Sequence, residues 1–234
     1  MKLNHDPAYA KYGLDPATRR QLSLLGDLIL GAGFNVSGVR DHEEIERTHF
    51  LDSLSVLSIG GIAEARDIAD IGSGAGFPAL VLALALPSTG ITAVESIHKK
   101  CAHIQKCAAI LKLHNVDVRC MRAEEYGHTN DRESYDVVVS RAVASLPVVC
   151  EYSMPLLRTG GLMVAMKTTI SDQERIQGVT ALGILGADLL DVVELDPFEG
   201  SHSRRAYVAR KTRSTPSEFP RRAGIPSKRP LGQM

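Results

Sequence analysis

The stretch Asp70-Ile71-Gly72-Ser73-Gly74-Ala75-Gly76-Phe77-Pro78 joins a segment that predicts a β-strand, residues 65–71, to an apolar segment that predicts a short helix, residues 77–86. Glycines at such a junction permit a tight turn and let the backbone approach a ligand closely. Ligands of open α/β sheets bind at the carboxyl ends of the strands. The stretch therefore predicts a binding loop above the first strand of a parallel sheet.

The spacing of the glycines distinguishes between cofactors. A dinucleotide-binding loop has the pattern G-x-G-x-x-G and holds a pyrophosphate at a helix N-terminus. Here Gly72, Gly74 and Gly76 form G-x-G-x-G, and Asp70 lies two residues before the first glycine. S-adenosylmethionine has no phosphate but carries an α-amino group, which Asp70 could attract directly or through water. The pattern favours S-adenosylmethionine over NAD.

The rest of the chain after residue 61 alternates between strand and helix patterns, which indicates a mostly parallel sheet covered on both faces. Strands are predicted at residues 65–71, 90–94, 116–121, 135–139, 162–167, 188–195 and 205–210. Helices are predicted at residues 77–86, 97–113 (with Ile104, Ile110 and Leu111 facing inward), 146–157 and 171–185. No helix separates the last two strands, so an antiparallel hairpin at one edge is expected. The predicted fold is α/β, a class I (Rossmann-like) methyltransferase with a seven-stranded sheet.

The N-terminal region predicts helices that precede this core. Asp15 and Pro16 suit the N-cap and first position of one helix, and a second helix is expected from Asp41. Residues 1–15 are expected to lack regular structure. We predict a single domain with a helical extension at residues 1–61, a cofactor-binding core at 62–211 and a basic C-terminal tail at 212–234.

Three further positions at predicted strand ends carry polar groups suited to an adenosyl cofactor. Glu95, beside Ser96, follows the second strand and could accept hydrogen bonds from both ribose hydroxyls. Ala123-Glu124 follows the third strand, where an adenine would lie, although either acid could instead be an exposed loop charge. Arg141 follows the fourth strand beside the transferable methyl group, with a structural ion pair as its alternative role.

Two absent motifs narrow the reaction. The fourth strand is followed by Ser140-Arg141-Ala142-Val143 and not by the Asp/Asn-Pro-Pro-aromatic motif usual in amino-group methylases. No cysteine follows a proline, as the nucleophile of a carbon-5 pyrimidine methylase does. What remains is a reaction without a covalent catalyst. Guanine N7, whose lone pair is already nucleophilic, fits catalysis by positioning and electrostatics.

The composition and the residue spacing argue against a metal site, a membrane span and a signal peptide. The four cysteines form no C-x-x-C pair and the eight histidines no H-E-x-x-H motif, so buried thiols and no metal site are expected. Residues 77–86, the longest apolar run, are too short to span a bilayer. Residues 1–15 have no apolar core of the kind a signal peptide contains. We expect a cytoplasmic protein without a membrane partner.

Charge is distributed unevenly although the formal net charge is zero. Residues 204–234 contain nine basic side chains and one acidic side chain, whereas residues 1–203 contain 18 basic and 26 acidic ones. A basic tail on an acidic body suggests contact with a polyanion. The alternative is a solvated extension without a partner.

Four stretches together resemble the RsmG (GidB) family, the bacterial 16S ribosomal RNA guanine-N7 methyltransferases. They occur in family order and cover nearly the whole chain from about residue 20. The stretches are Asn35-Val36-Ser37-Gly38-Val39 with His49-Phe50-Leu51-Asp52-Ser53-Leu54, the loop Asp70–Pro78, Ser140-Arg141-Ala142-Val143-Ala144, and Phe219-Pro220-Arg221-Arg222 with Gly224, Pro226, Lys228, Pro230 and Leu231.

The resemblance implies cofactor contacts at Gly72, Phe77, Ala123-Glu124 and Arg141, with Glu95 in place of the usual Asp. Thr168 replaces an expected glycine after Lys167. It also implies that three residues face the active site without a defined chemical role, namely His49, Asp52 and Ser53. It further implies phosphate contacts by a set of basic residues, namely Lys167, Arg205, Arg221, Arg222 and Lys228.

The resulting hypothesis is methyl transfer from S-adenosylmethionine to N7 of a guanosine in 16S rRNA of the small ribosomal subunit, by a protein expected to be a monomer. One alternative is a small-molecule methyltransferase, which would have no use for a polycationic tail. The other is a non-catalytic RNA-binding assembly factor, against which the set Asp70, Gly72, Gly74 and Glu95 argues.

Overall fold

A computed structural model describes residues 6–32, 38–39, 41–201 and 203–233, without the side chains of residues 6 and 7. Residues 35–37 of the first family stretch lie outside the described residues. The strands are β1 (Asp67–Ile71), β2 (Gly90–Glu95), β3 (Val116–Cys120), β4 (Tyr135–Arg141), β5 (Leu157–Lys167), β6 (Ala187–Glu194) and β7 (Arg205–Lys211). The α-helices are α1 (Asp6–Ala10), α2 (Pro16–Leu30), α3 (His42–Ile45), α4 (Asp52–Leu54), α5 (Ala79–Ala85), α6 (His98–Ile110), α7 (Ala123–Tyr126), α8 (Leu146–Ser153), α9 (Asp172–Leu185) and α10 (Ile225–Lys228).

The seven strands form one sheet in the order β3-β2-β1-β4-β5-β7-β6. Strands β1 to β5 are parallel, and β7 pairs antiparallel with both β5 and β6. This confirms the predicted α/β class, including the antiparallel hairpin at one edge. After β1 the chain builds β2 and β3 on one side and then crosses to β4 on the other. The carboxyl ends of β1 and β4 therefore flank the crevice in which ligands of such sheets bind.

Alternate residues of each central strand face opposite sides of the sheet, and both faces are buried. On one face Ile68 packs with residues of α2, α5 and α6, and on the other Ala69 packs with residues of α8 and α9. The N-terminal helices belong to the first of these cores, since Tyr9, Leu22 and Phe50 are fully buried in it. The helical extension is thus packed directly onto the cofactor-binding core.

Local sequence explains how the N-terminal helices begin. The Asp15 carboxylate accepts the backbone N–H of Thr18 at 2.7 Å, and the Asp41 carboxylate accepts that of Glu44 at 2.8 Å, so both predicted N-caps are confirmed. The second helix is not uniform. Between α3 and α4 the chain widens into a π-helical turn at Glu46–Leu51, and a 3₁₀ turn at Ser55–Ser58 follows α4.

Some sequence predictions were wrong in detail. Residues 6–10 form a short helix whose Tyr9 is buried, where no regular structure was expected. Ile110 is 42% exposed at the end of α6 and not inward-facing. Strand β5 begins at Leu157, five residues before the prediction, because it continues through Gly160-Gly161, which the sequence alone indicated as a turn.

The residues after β7, which we call the C-terminal strap (residues 212–233), are packed against the domain. At the end of β7, the fully buried Lys211 Nζ donates to Glu133 Oε1 at 2.7 Å and to two backbone carbonyls. The Arg132 guanidinium donates to carbonyl oxygens of Thr215, Pro216 and Phe219 in the strap. No helix in the described part of the chain is long and apolar enough to cross a membrane.

Two glycines of α9 provide a test of the packing between α8 and α9. A Cβ on Gly178 would lie 2.5 Å from Leu146 Cδ2 and 3.3 Å from Leu146 Cβ, whereas one on Gly183 would meet nothing within 4 Å. We expect Gly178→Ala to destabilise the protein by about 1–3 kcal/mol through overpacking. Gly183→Ala should be neutral or stabilise it by up to about 1 kcal/mol, because alanine favours helix.

The measurement is the free energy of unfolding in urea. A Gly178→Ala protein at least as stable as the Gly183→Ala protein would contradict the close helix contact.

Candidate active site

The glycine loop after β1 is held in a conformation that requires glycine at two of its positions. Gly72 has φ +70° and Gly76 has φ +97°, which L side chains rarely adopt. A Cβ on Gly72 would lie 2.8 Å from Val143 Cγ2, and one on Gly76 would lie 2.5 Å from Leu80 Cδ1. Gly72 therefore lets the loop approach the segment after β4, and Gly76 lets it approach α5.

Asp70 lies beneath this loop with its side chain fully buried. Its Oδ2 accepts the backbone N–H of Ala79 at the start of α5, while Oδ1 has no partner among the described residues. Burial raises the pKa of Asp70 to about 7. Asp70 thus connects the end of β1 to the start of α5, and its unpartnered Oδ1 keeps acceptor capacity for the α-amino group that the sequence predicts as its ligand.

Glu95 joins the end of β2 to the same loop. Its Oε2 accepts the N–H of Gly74 at 2.9 Å, and its Oε1 accepts the N–H of Ile97 at 2.9 Å. A carboxylate oxygen can accept more than one hydrogen bond. The Glu95 side chain is thus fixed by two backbone groups and keeps acceptor capacity for ribose hydroxyls.

A cleft of about 250 Å³ opens beside Glu95, and we call it the Glu95–Glu124 cleft. It brings together predicted cofactor residues from the ends of three strands, and its further lining includes two hydroxyl side chains that the sequence did not suggest, Tyr152 and Ser227. Its walls are formed by Ile71, Gly72, Val94, Glu95, Ser96, Met121, Arg122, Ala123, Glu124, Val143, Ala144, Tyr152 and Ser227.

Arg141, at the end of β4, is held by the N-terminal helical region. Its Nη1 donates to Asp52 Oδ2 at 2.8 Å and to the Thr48 carbonyl oxygen at 2.9 Å. The other oxygen of the buried Asp52 carboxylate lies 3.2 Å from an Nη1 atom of Arg204. The structural ion pair considered for Arg141 therefore exists, and it lies within the candidate site.

His49 lies between Arg141 and the aromatic ring of Phe77. Its ring stacks on Phe77 with 4.6 Å between centroids, and its Nδ1 is 3.2 Å from Arg141 Nη2. Nδ1 is also 3.1 Å from the Thr48 carbonyl oxygen, so it lies between a group that can only donate and a group that can only accept. Burial and the positive charge of Arg141 lower the pKa of His49 to about 4, so His49 is neutral at physiological pH.

A second cleft of about 280 Å³ is lined by Arg141 and Arg204, and we call it the Arg141–Arg204 cleft. Two residues that were predicted to contact phosphates, Lys167 and Arg205, line it. Lys167 pairs with Glu174 at 3.1 Å, and Arg205 pairs with Glu194 at 3.3 Å. The full lining is Asp52, Arg141, Ala142, Met166, Lys167, Thr168, Thr169, Ile170, Glu174, Leu195, Arg204 and Arg205. Arg141 and Ala142 line this cleft, and the next two residues, Val143 and Ala144, line the Glu95–Glu124 cleft.

Three buried polar atoms around the site have no hydrogen-bond partner among the described residues. They are His49 Nε2, Ser53 Oγ and Asp70 Oδ1. Buried polar groups are nearly always paired in native proteins, so a ligand or water is expected to complete these contacts. Six other buried side-chain atoms of the described residues also lack a partner. Together with the glycine loop and the two fixed carboxylates, the residues present fit an adenosyl cofactor with a free amino group.

The predicted RNA contacts are only partly brought together. Lys167 and Arg205 line the Arg141–Arg204 cleft, but Arg221 forms an internal ion pair with the buried Glu151 at 2.6 Å. Arg222 and Lys228 are exposed on the C-terminal strap and form no ion pair within the described residues. Arg204 was missed as a site residue. Its neighbour Arg205, the first residue of β7, was predicted as a phosphate contact, and this adjacency was the available signal.

The cysteines are free thiols, three of them buried and Cys120 partly exposed. Among the described residues, no group of three or more His, Cys, Asp or Glu side chains is placed to hold a metal ion.

The family model of GidB, rRNA small subunit methyltransferase G, matches residues 20–199. The chain belongs to this family. The ribosomal RNA small subunit methyltransferase G of Deinococcus radiodurans is 40% identical over 226 residues, which cover 94% of this chain and 88% of the relative. The Bacillus subtilis protein of that name is 34% identical and covers 93% of this chain and 92% of its own length. The resemblance identified in the sequence is thereby confirmed.

Solved structures confirm the predicted fold at lower sequence identity. An S-adenosylmethionine-dependent O-methyltransferase of Thermotoga maritima aligns with a TM-score of 0.56 and 18% identity, over 74% of this chain and 72% of that one. Aeropyrum pernix fibrillarin, solved with natively bound S-adenosyl-L-methionine, aligns with a TM-score of 0.52 and 20% identity, over 68% of this chain and 72% of that one. At these identities the likeness concerns the methyltransferase fold.

The low pKa of His49 predicts a specific pH dependence of stability. The unfolded chain takes up a proton on this histidine near pH 6.5, whereas the folded protein does so only near pH 4. The stabilisation is therefore present above pH 6.5 and lost as the pH falls toward 4. Between pH 7.5 and 5, wild type should lose about 2 kcal/mol of stability relative to His49→Gln.

Urea unfolding of both proteins at each pH measures this difference. His114→Gln, the same substitution at an exposed histidine, is the matched control. A constant difference between wild type and His49→Gln across this range would show that His49 is not buried as described.

Proposed function

We propose that this chain transfers the methyl group of S-adenosylmethionine to N7 of a guanosine in 16S rRNA of the small ribosomal subunit. The observation that carries the proposal is that consecutive residues of one segment line two different clefts, 141–142 in one and 143–144 in the other. One cleft carries carboxylates suited to a nucleoside, and the other carries guanidinium and ammonium groups suited to RNA. Family membership supports the choice of small-subunit rRNA as the substrate.

The cofactor would be held in the Glu95–Glu124 cleft, where it supplies an electrophilic methyl group on a sulfonium. Glu95, already positioned by the N–H groups of Gly74 and Ile97, would accept hydrogen bonds from the ribose. Glu124 would accept one from the adenine amino group. The glycine loop, through Gly72, would let the backbone lie close to the methionine portion.

The chain's residues match a methyl transfer that needs no general base. In the proposed transfer, the lone pair of guanine N7 would form the bond to the methyl carbon as the bond from that carbon to the sulfonium sulfur breaks. No proton is released, so the positive charge passes from the sulfonium to the purine. A second cation near the base would oppose that charge. His49 is neutral, and the Asp52 carboxylate compensates Arg141 and Arg204, so the cleft keeps hydrogen-bond donors while its positive charge is partly balanced.

Arg141 and Arg204 have the chemistry to recognise the substrate. Guanidinium groups donate to guanine O6 and to phosphate oxygens. Arg141 is oriented by Asp52, Thr48 and His49, and it lies 5.6 Å from the centre of the Phe77 ring. Such preorganisation reduces the entropy lost when the base is positioned for in-line attack.

Incubation with labelled S-adenosylmethionine and small subunits from cells that lack this methyltransferase tests the proposal. We expect incorporation at a single guanosine of 16S rRNA and its recovery as N7-methylguanosine by nuclease digestion and mass spectrometry. Arg141→Ala should lower the rate by about 100-fold or more, because the variant loses the guanidinium donor and leaves Asp52 without one of its two partners. Label on a ribose, on an exocyclic amine or on no RNA at all would overturn the proposal.

Arg222 and Lys228, two exposed cations of the C-terminal strap that form no ion pair within the described residues, should contribute to RNA affinity. We expect the double variant Arg222→Ala/Lys228→Ala to weaken binding of small-subunit RNA and to reduce the slope of log affinity against log salt by about 1–2, since each phosphate contact contributes about 0.7–0.9.

Lys112→Ala is the matched control. Lys112 is exposed and lies between α6 and β3, at the amino edge of the sheet, opposite the site. Filter binding between 50 and 300 mM salt measures both slopes. Equal slopes for wild type and the double variant would place the RNA elsewhere.

A further inference from the structure

The C-terminal strap reaches the wall of the Glu95–Glu124 cleft. Gly224 N donates to Glu124 Oε1 at 2.9 Å, and the Tyr152 hydroxyl donates to the same oxygen at 3.2 Å. Ser227 Oγ lies 3.2 Å from the Tyr152 hydroxyl and lines the cleft beside it. We propose that the strap positions Glu124 for the adenine amino group and so forms part of the cofactor site, an inference that rests on the proposed function.

The position of the Glu124 side chain depends on these hydrogen bonds. It lies in α7, a helix of only four residues, and its side chain is almost completely buried. Both hydrogen bonds to Glu124 use Oε1, and Oε2 accepts none from the described residues. With Oε1 fixed by one backbone and one hydroxyl donor, Oε2 is the acceptor left for an exocyclic amino group.

The strap is anchored firmly enough to act as a support. Arg221 lies shortly before Gly224 in the chain. Its backbone N–H, Nε and Nη2 donate to the fully buried Glu151 carboxylate at 2.6 to 3.2 Å. The carbonyl oxygen of Pro220 is 2.7 Å from His128 Nε2. A Cβ on Gly127 would lie 2.5 Å from Pro220 Cγ, which shows how closely the strap packs.

The chain then turns toward the cleft at Gly224. This residue has φ +79° and precedes α10, so the turn directs its N–H at Glu124 and brings Ser227 to the cleft wall. The buried pair of Arg221 and Glu151 thus sets where the strap lies, and the Gly224 turn sets where its N–H points. This gives Arg221 a positioning role in place of the phosphate contact that the sequence suggested.

A truncation that removes residues 223–234 tests the proposal while keeping the anchors at Phe219 and at Arg221–Glu151. The matched control removes residues 230–234 and leaves Gly224 and Ser227 in place. Isothermal titration measures the dissociation constants of S-adenosylhomocysteine and of S-inosylhomocysteine, in which a carbonyl oxygen replaces the amino group. Thermal unfolding establishes that each truncated protein is folded.

Wild type and the control should prefer the adenosyl compound by at least about tenfold, the order expected for a hydrogen bond to a charged group. In the 223–234 deletion we expect this preference to fall toward unity, mainly through weaker binding of the adenosyl compound. A purely structural role would weaken both compounds by the same factor, and that result, or no change in either constant, would overturn the proposal.

Should the longer truncation not fold, Ser227→Ala/Tyr152→Phe removes the hydroxyls and keeps the strap. It should reduce the preference several-fold, whereas Ser217→Ala, on an exposed part of the strap, should not. An unchanged preference in the double variant would contradict the proposal. Wild type that binds neither compound would overturn the proposed function itself, and wild type that binds both equally would overturn only the role of Glu124.

Discussion

The arrangement of the candidate site depends on one buried carboxylate, that of Asp52. It lies between the guanidinium groups of Arg141 and Arg204, which come from the end of β4 and from the residue before β7. A buried carboxylate without partners would be strongly unfavourable, whereas one paired on both oxygens is tolerated. The pairing therefore fixes the N-terminal helical region against the carboxyl edge of the sheet. It also sets the position of His49 beside Arg141.

Carboxylates have a second structural role on the cofactor side of the site. Asp70 and Glu95 each accept backbone N–H groups, and these contacts connect the ends of β1 and β2 to the glycine loop and to α5. Acids that sequence patterns assign to ligand contact thus also shape the backbone around the ligand. The unpartnered Oδ1 of Asp70 and the remaining acceptor capacity of Glu95 are what this leaves for the cofactor.

The C-terminal strap contains basic residues with two different roles, which a count of charges does not separate. Of its basic residues, Arg221 pairs with the buried Glu151, whereas Arg222 and Lys228 are among those that are exposed. The anchored part supports Glu124, and the exposed cations lie on the same short stretch of chain. Cofactor contact and RNA contact are therefore proposed for neighbouring residues of one strap.

The sequence by itself determined the order of strands and helices, the glycine loop and the acids at strand ends, because periodicity, caps and strand-end positions are local properties. The family stretches also indicated that His49 and Asp52 belong to the site. Only the tertiary structure decided their partners. Whether Arg221 meets Glu151 or a phosphate, whether Arg204 reaches Asp52 and whether Gly224 reaches Glu124 depend on residues 70 to 152 positions apart in the chain. No local pattern encodes such contacts, because they arise only when the sheet order brings distant ends to one edge.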